Sequence, residues 1–284
     1  MAQNLPPPPI ESVLHATDFS EEGERAFAHA LAIALLTRSS LTILNAGERP
    51  TEDEGWKRFP AVRATLERWG LLEPGSPRSA VWNELQVEVS KVALRSRSAL
   101  RGILDYLEHH PVDLIVMATR GRHGLPDWFR SSVAEPMARR SRTKTLIVPR
   151  DGRNFVDFRD GSLSLRRVLV PVARDPDPRV ALTYAARAAL ALGDDRIEIV
   201  VLHVGDPDGM PPFRPVEDER LDWRRETRRG DVPDQVVAMA REIEADLIIM
   251  PTRGVDELKE LLTGSQTEQV VRRTPCPLLA VPTA

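Results

Sequence analysis

Two loops in this 284-residue chain carry residue types that hold phosphate without cutting it. The first runs Thr119-Arg120-Gly121, then nine residues, then Ser131-Ser132. The second runs Thr252-Arg253-Gly254, then nine residues, then Gly264-Ser265. A glycine lets the backbone approach an anion closely and take unusual φ values. Backbone N–H groups at a helix start, approached by such a loop, form a cradle for phosphate oxygens. A hydroxyl there either caps the helix or bonds the phosphate. Asp18, in "ATDFS", follows an apolar run and offers a carboxylate to a ligand; its competing role is to cap the helix that follows. No nucleophile with an adjacent base can be assembled, no His/Cys cluster has zinc spacing, and neither a Gly-x-Ser-x-Gly nor a Walker motif occurs. The chemistry indicated is binding.

These loops need strands to carry them. "DLIVMA" and "DLIIMP" are apolar on both faces, "SVLHAT" and "RVLVPV" are short and rich in β-branched residues, and "SLTILNA" and "RIEIVVLHV" follow the same pattern. Between them lie helical stretches. "EEGERAFAHALAIALL" gathers Ala26, Ala30, Ile33 and Ala34 on one face and opens with acids, as the positive end of a helix favours. "LRGILDYLEHH" and "PDQVVAMAREIE" feed the two apolar strands, and a last helix starts near Ser131 and again near Gly264. Strands buried on both faces and alternating with helices predict a parallel sheet covered on both sides. In such a sheet, ligands collect beyond the carboxyl ends of the strands.

The whole pattern occurs twice. Residues 113–149 align without a gap on residues 246–282, sharing Asp113/Asp246, Met117/Met250, Arg120/Arg253, Gly121/Gly254, Ser132/Ser265, Glu135/Glu268 and Pro149/Pro282. The starts of the copies match more loosely, and the second copy is shorter in its middle. The expected division is residues 1–150, a linker at 151–165 with two glycine-containing charged turns, and residues 166–284. The extra segment of copy one, around "EGWKRFPAVRATLERWG", is expected to form one additional helix with Trp56, Phe59, Leu66 and Trp69 as packing residues.

Bulk properties narrow the partners. Hydrophobic content of 42% with 29% charged residues describes a soluble globular chain. A net charge of −3 gives no field for nucleic acid or an anionic membrane. The apolar runs fall short of a membrane span, and the polar, proline-rich opening predicts no secretory leader. The one cysteine, Cys276, excludes an internal disulfide, fits a reducing cytoplasm, and is expected to pack as a small residue. His109-His110 suit the end of a helix, Trp128 and Phe129 suit packing on a neighbouring helix, and the basic runs at Arg139–Arg142 and "DWRRETRR" suit solvated faces.

With order, spacing and duplication together, the sequence resembles the universal stress protein family, in its tandem form. The family signature is Gly, two residues, Gly, nine residues, Gly, then Ser or Thr. The resemblance implies two open parallel-sheet, Rossmann-like domains of the adenine nucleotide alpha-hydrolase-like α/β class. It further implies an intramolecular pseudo-dimer, with residues 145–148 pairing antiparallel with 278–281, and a homodimer as a further expectation. It also assigns a nucleotide site: Ala16, Thr17, Asp18, Ala46, Thr119, Gly121, Gly124, Ser131, Ser132 and Val133 in copy one, and Gly254, Gly264 and Ser265 in copy two. Copy one has Ala118 and Ser131 at signature glycines. Copy two has Pro251 at the first glycine and Ala173 in place of the aspartate. The loop of copy two carries Asp256, Glu257 and Glu260, which repel a triphosphate, where copy one has Arg122, His123 and Asp127.

The expected function is that of a cytoplasmic regulatory stress-response module rather than an enzyme. It binds ATP with Mg2+, or a related adenine nucleotide, at most once per chain and in copy one. The alternative is a protein of the same fold that binds no nucleotide and recruits partners. An adenylate-forming enzyme of related architecture needs a phosphate loop after its first strand, where this chain has the acidic "TDFSEEGE".

Overall fold

The apolar runs find burial on both faces because two half-sheets join into one. A computed structural model describes residues 10–48, 54–119, 137, 142–193, 195–253 and 266–283. Copy one holds β1 (Ser12–Ala16), α1 (Glu21–Thr37), β2 (Ser40–Gly47), α2 (Glu54–Arg58), α3 (Val62–Arg68), α4 (Ala80–Leu85), β3 (Val89–Arg95), α5 (Ala99–His109), β4 (Leu114–Ala118) and β5 (Lys144–Val148). Copy two holds β6 (Arg167–Val172), α6 (Arg179–Leu192), β7 (Ile197–Val204), a 3-10 turn at Pro207–Gly209, β8 (Leu221–Arg228), α7 (Val232–Glu242), β9 (Leu247–Arg253), α8 (Gln266–Val271) and β10 (Leu278–Thr283). The strands form a ten-stranded sheet in the order β3-β2-β1-β4-β5-β10-β9-β6-β7-β8. All pairings within a half are parallel.

At the centre β5 and β10 run antiparallel, with Leu278 opposite Ile147 and Ala280 opposite Thr145. Each strand therefore covers an apolar edge that would otherwise template aggregation. The carboxyl ends of the two halves consequently emerge at opposite margins of the sheet. The period of two sends Val13 and Val168 to one face, against α1 and α6. Leu14 and Leu169 go to the other, against α5, α7 and α8. The outer strand β8 holds the "DWRRETR" run, whose charges pair locally: Arg224 with Glu198 (2.9 Å) and Arg228 with Glu242 (2.6 Å). A charged outer strand resists further pairing. Among the described residues, no helix is long and apolar enough to cross a membrane.

The aspartate shared by the repeats has a structural task at the start of the strands. Asp113 Oδ2 accepts from the backbone N–H of Glu11 (2.9 Å) and Ser12 (3.0 Å) and from the Ser12 hydroxyl (2.9 Å). Asp246 Oδ2 accepts from the N–H of Arg166 (2.9 Å) and Arg167 (3.0 Å). Each carboxylate thus fastens the first strand of its copy to the strand it begins.

One expectation needs correction. The extra segment of copy one is three short helices, because Pro60, Pro74 and Pro77 lack the N–H a continuous helix needs, and Gly70 and Gly75 turn with φ of +71° and +81°. Phe59, Leu66 and Trp69 are buried there. The stretch expected as a linker is packed against both copies. Phe155, Val156 and Leu165 are buried, Val156 bridges Leu163, and the Trp69 indole N–H donates to the Phe158 carbonyl (3.2 Å). Gly152, at φ +138°, lies so close to the Pro275 carbonyl that a Cβ would sit 2.2 Å from its oxygen.

Candidate functional site

The strand register gathers the copy-one residues. Ala16 of β1 sits opposite Leu44 of β2 and Met117 of β4. Asp18 follows Ala16 by two residues, as Ala46 follows Leu44 and Thr119 follows Met117. Hydrogen bonds fix the ends. Thr17 N–H donates to Leu44 O (2.9 Å), the Asn45 amide donates to Thr17 O (2.9 Å), and Thr119 N–H donates to Val148 O (2.9 Å). Thr17, Asn45 and Thr119 are buried, whereas Asp18 is exposed at the rim.

The turn that presents Asp18 is built from its own side chains. Thr17 Oγ1 accepts from Phe19 N–H (3.0 Å), and Asp18 Oδ1 accepts from the N–H (3.1 Å) and hydroxyl (2.5 Å) of Ser20. The helix N-cap is Ser20, whose side chain makes no capping bond. Asp18 therefore shapes the turn ahead of α1 and does not cap the helix. Phe19 takes φ +61°, a region bulky residues avoid, and its ring meets Trp56 (4.8 Å) and Phe59 (5.8 Å) edge-on. The copy-one insertion thus grips the loop. Past the end of β3, Gly102 lets α5 close on Ser96, since a Cβ there would lie 2.8 Å from the Ser96 Cβ. Among the described residues, a Cβ at Gly47 would meet nothing within 4 Å.

Beneath this loop lies a residue the sequence reading passed over. His15 is buried, with Nδ1 3.1 Å from Val116 O, its ring stacked on Phe59 (5.9 Å) and Nε2 without a hydrogen-bond partner among the described residues. Burial pushes its pKa down to about 4, against smaller opposing effects of the Val116 carbonyl and Asp18. The available signal was a histidine at an inward position of an apolar strand.

Copy two differs at each of these points. Ala173 replaces the aspartate, and His203 takes the place of Asn45, with Nδ1 3.2 Å from Val172 O. The Pro207–Gly209 turn then folds onto His203: a Cβ on Gly205 or Gly209 would lie 2.9 or 2.8 Å from its Nε2. Arg174 reaches across to the Asp208 carbonyl (3.4 Å). The turn after β7 thus packs on His203, while Ala173 is exposed, as Asp18 is.

Gly121, Gly124, Ser131, Ser132 and Val133, with Arg120, Arg122, His123, Trp128 and Phe129, lie outside the described residues, as do Gly254, Gly264 and Ser265. Among the described residues no group of three His, Cys, Asp or Glu could hold a metal ion. Cys276 is buried, and desolvation pushes its thiol up to about 12, as fits a packing residue. His109 and His110 face the carbonyls of Asp105 (3.0 Å) and Tyr106 (3.2 Å) at the end of α5.

The model of the universal stress protein family matches residues 9–149 and 214–282. A universal stress protein of Methanocaldococcus jannaschii is 25% identical over 144 residues, spanning 49% of this chain and 81% of that protein. A solved universal stress protein from Archaeoglobus fulgidus superposes with a TM-score of 0.63 at 19% identity, over 96% of each chain. A Pseudomonas aeruginosa protein given the same family name does so with a TM-score of 0.61 at 17% identity, over 96% of this chain and 93% of its own.

Proposed function

We propose that this chain, which belongs to the universal stress protein family, is a regulatory module of the cytoplasm that binds one adenine nucleotide, ATP with magnesium or a relative of it. The site is at the strand ends of copy one. The observation that carries this reading is the contrast between the copies. Copy one presents an exposed carboxylate on a hydrogen-bonded turn. Copy two has no carboxylate there and lays its own turn over His203. In this assignment Asp18 accepts hydrogen bonds from the adenosine part, and backbone N–H groups of the loop from Gly121 to Ser132 face the phosphates. Magnesium neutralises phosphate charge. No catalytic role is assigned to any residue, and stress regulation follows from bound against unbound states of the module.

The test is a calorimetric titration of ATP with magnesium into the wild type, Asp18→Ala and Gly121→Val. A hydrogen bond to a charged group contributes about 1.5–3 kcal/mol, so Asp18→Ala is expected to weaken binding about 10- to 100-fold. Gly121→Val should weaken it at least as much by blocking backbone approach. Binding that survives both substitutions places the site elsewhere, around Gly254, Gly264 and Ser265. No heat from any variant supports the alternative, a partner-recruiting module without nucleotide.

A further inference from the structure

The pseudo-twofold relation between the copies is broken at one pair of grooves beside the central β5–β10 pairing. The first groove is filled by the chain. After β5 the backbone crosses to copy two, where Arg153 N–H donates to Pro275 O (2.9 Å) and the Arg153 guanidinium donates to Asp246 Oδ1 (3.2 Å). The Phe155 ring then meets His29 of α1 edge-on (4.6 Å), and the Arg25 guanidinium donates to Arg150 O (2.5 Å). His29, Ala245, Asp246 and Cys276 are all at most 3% exposed beneath this segment.

The counterpart groove is a cleft of about 260 Å³. Its walls include Val112, Asp113, Thr143 and Tyr184, which align with Ala245, Asp246, Cys276 and His29. Here the same four positions are half-buried, and nearby Val180 is 38% exposed. Among the described residues no segment crosses this groove as residues 150–155 cross the first. We propose that it docks an extended, acidic peptide segment of a partner protein.

The first groove shows the shape of the occupant, an extended backbone with one side chain over the helix. The change of residues sets its charge. Arg142 and Lys144 stand where the first groove has Pro275 and Pro277. The Lys144 ammonium lies in the cleft, 5.1 Å from the centre of the Tyr184 ring. Val180 is in the first turn of α6, the end of a helix that favours anions. The opposing carboxylate is Asp113, whose Oδ2 is already bound by Glu11 and Ser12. Two cations against one engaged carboxylate select an acidic segment over a basic one.

The probes are labelled octapeptides of the sequence of residues 149–156, one as it stands and one with glutamate at both arginine positions. Anisotropy titrations use the full chain, Arg142→Glu/Lys144→Glu and Tyr184→Ala. The glutamate peptide is expected to bind at least fivefold tighter than its parent. It should lose at least tenfold affinity for the charge-reversed chain and a smaller amount for Tyr184→Ala. Either variant retains the fold on this reading, which circular dichroism checks. Absence of saturable binding at millimolar peptide, equal binding by both peptides, or binding indifferent to the charge reversal overturns the proposal. So does a wild-type self-association that charge reversal abolishes, since a second copy then occupies the groove.

Discussion

Between pH 7 and pH 4 the protein is expected to lose about 6 kcal/mol of folding stability through two histidines alone. His15 and His29 are wholly buried, and desolvation pushes each from 6.5 down to about 4. Among the described residues, neither Nε2 has a hydrogen-bond partner. His15 lies under the Asp18 turn among Phe27 and Phe59, and His29 lies against Phe155. The unfolded chain takes up these two protons near pH 6.5, but the folded chain resists them until about pH 4. Stability is therefore fully present above pH 6.5, falls as the pH drops through the window between, and levels off below 4. At about 1.4 kcal/mol per pKa unit, each histidine accounts for roughly 3 kcal/mol at pH 4. Domains of ordinary stability have about 5–15 kcal/mol in total, so acid unfolding should set in within this range. Urea denaturation at pH 7.5 and pH 4 checks it, in the wild type and in His15→Gln/His29→Gln. The double variant should show a pH dependence smaller by several kcal/mol. An unchanged dependence would remove the histidines from the account.

Asp246→Ala should be the costliest single substitution at the strand starts, at about 4 kcal/mol. The carboxylate is buried, holds the Arg153 guanidinium, and accepts two backbone N–H groups at the start of β6. Removing it strands the two backbone N–H donors, at about 1–3 kcal/mol for each buried group left unsatisfied, and frees Arg153, which is half exposed and adds little. Asp113 makes the same backbone contacts in copy one but is half-buried, and among the described residues no arginine bonds to it. Water replaces part of what Asp113→Ala removes, so about 2 kcal/mol is expected there. Urea denaturation at neutral pH measures both. Equal losses would deny that the crossing segment adds anything to the clamp of copy two.

The parallel sheet and the duplication were legible because both rest on local pattern: runs apolar on both faces, a period of two, and an ungapped internal match. The match itself does not separate the residues with structural tasks from those of the loop, for Asp113 and the Thr-Arg-Gly loop repeat together. Five strand residues separate Asp113 from Thr119, which at about 3.3 Å per residue puts the aspartate at the opposite margin of the sheet. The copy-one rim of Ala16, Thr17, Asp18, Ala46 and Thr119 was readable from strand ends. The grip of Trp56 and Phe59 on Phe19, the crossing segment over His29, and the turn that covers His203 were not. Each depends on residues far apart in sequence and leaves no periodic trace. The broken helix of the insertion was readable in principle, since Pro60, Pro74 and Pro77 are on view, but the helical spacing of Trp56, Phe59, Leu66 and Trp69 masked it.

The central claim is that the two copies have diverged, copy one keeping an exposed carboxylate where copy two has Ala173 and a turn packed on His203. Counting ligands per chain by native mass spectrometry during an ATP titration tests it most directly. The account predicts a single bound nucleotide on the wild type, lost in Asp18→Ala and retained in His203→Ala. Two nucleotides per chain, or one that survives Asp18→Ala and disappears in His203→Ala, would contradict it.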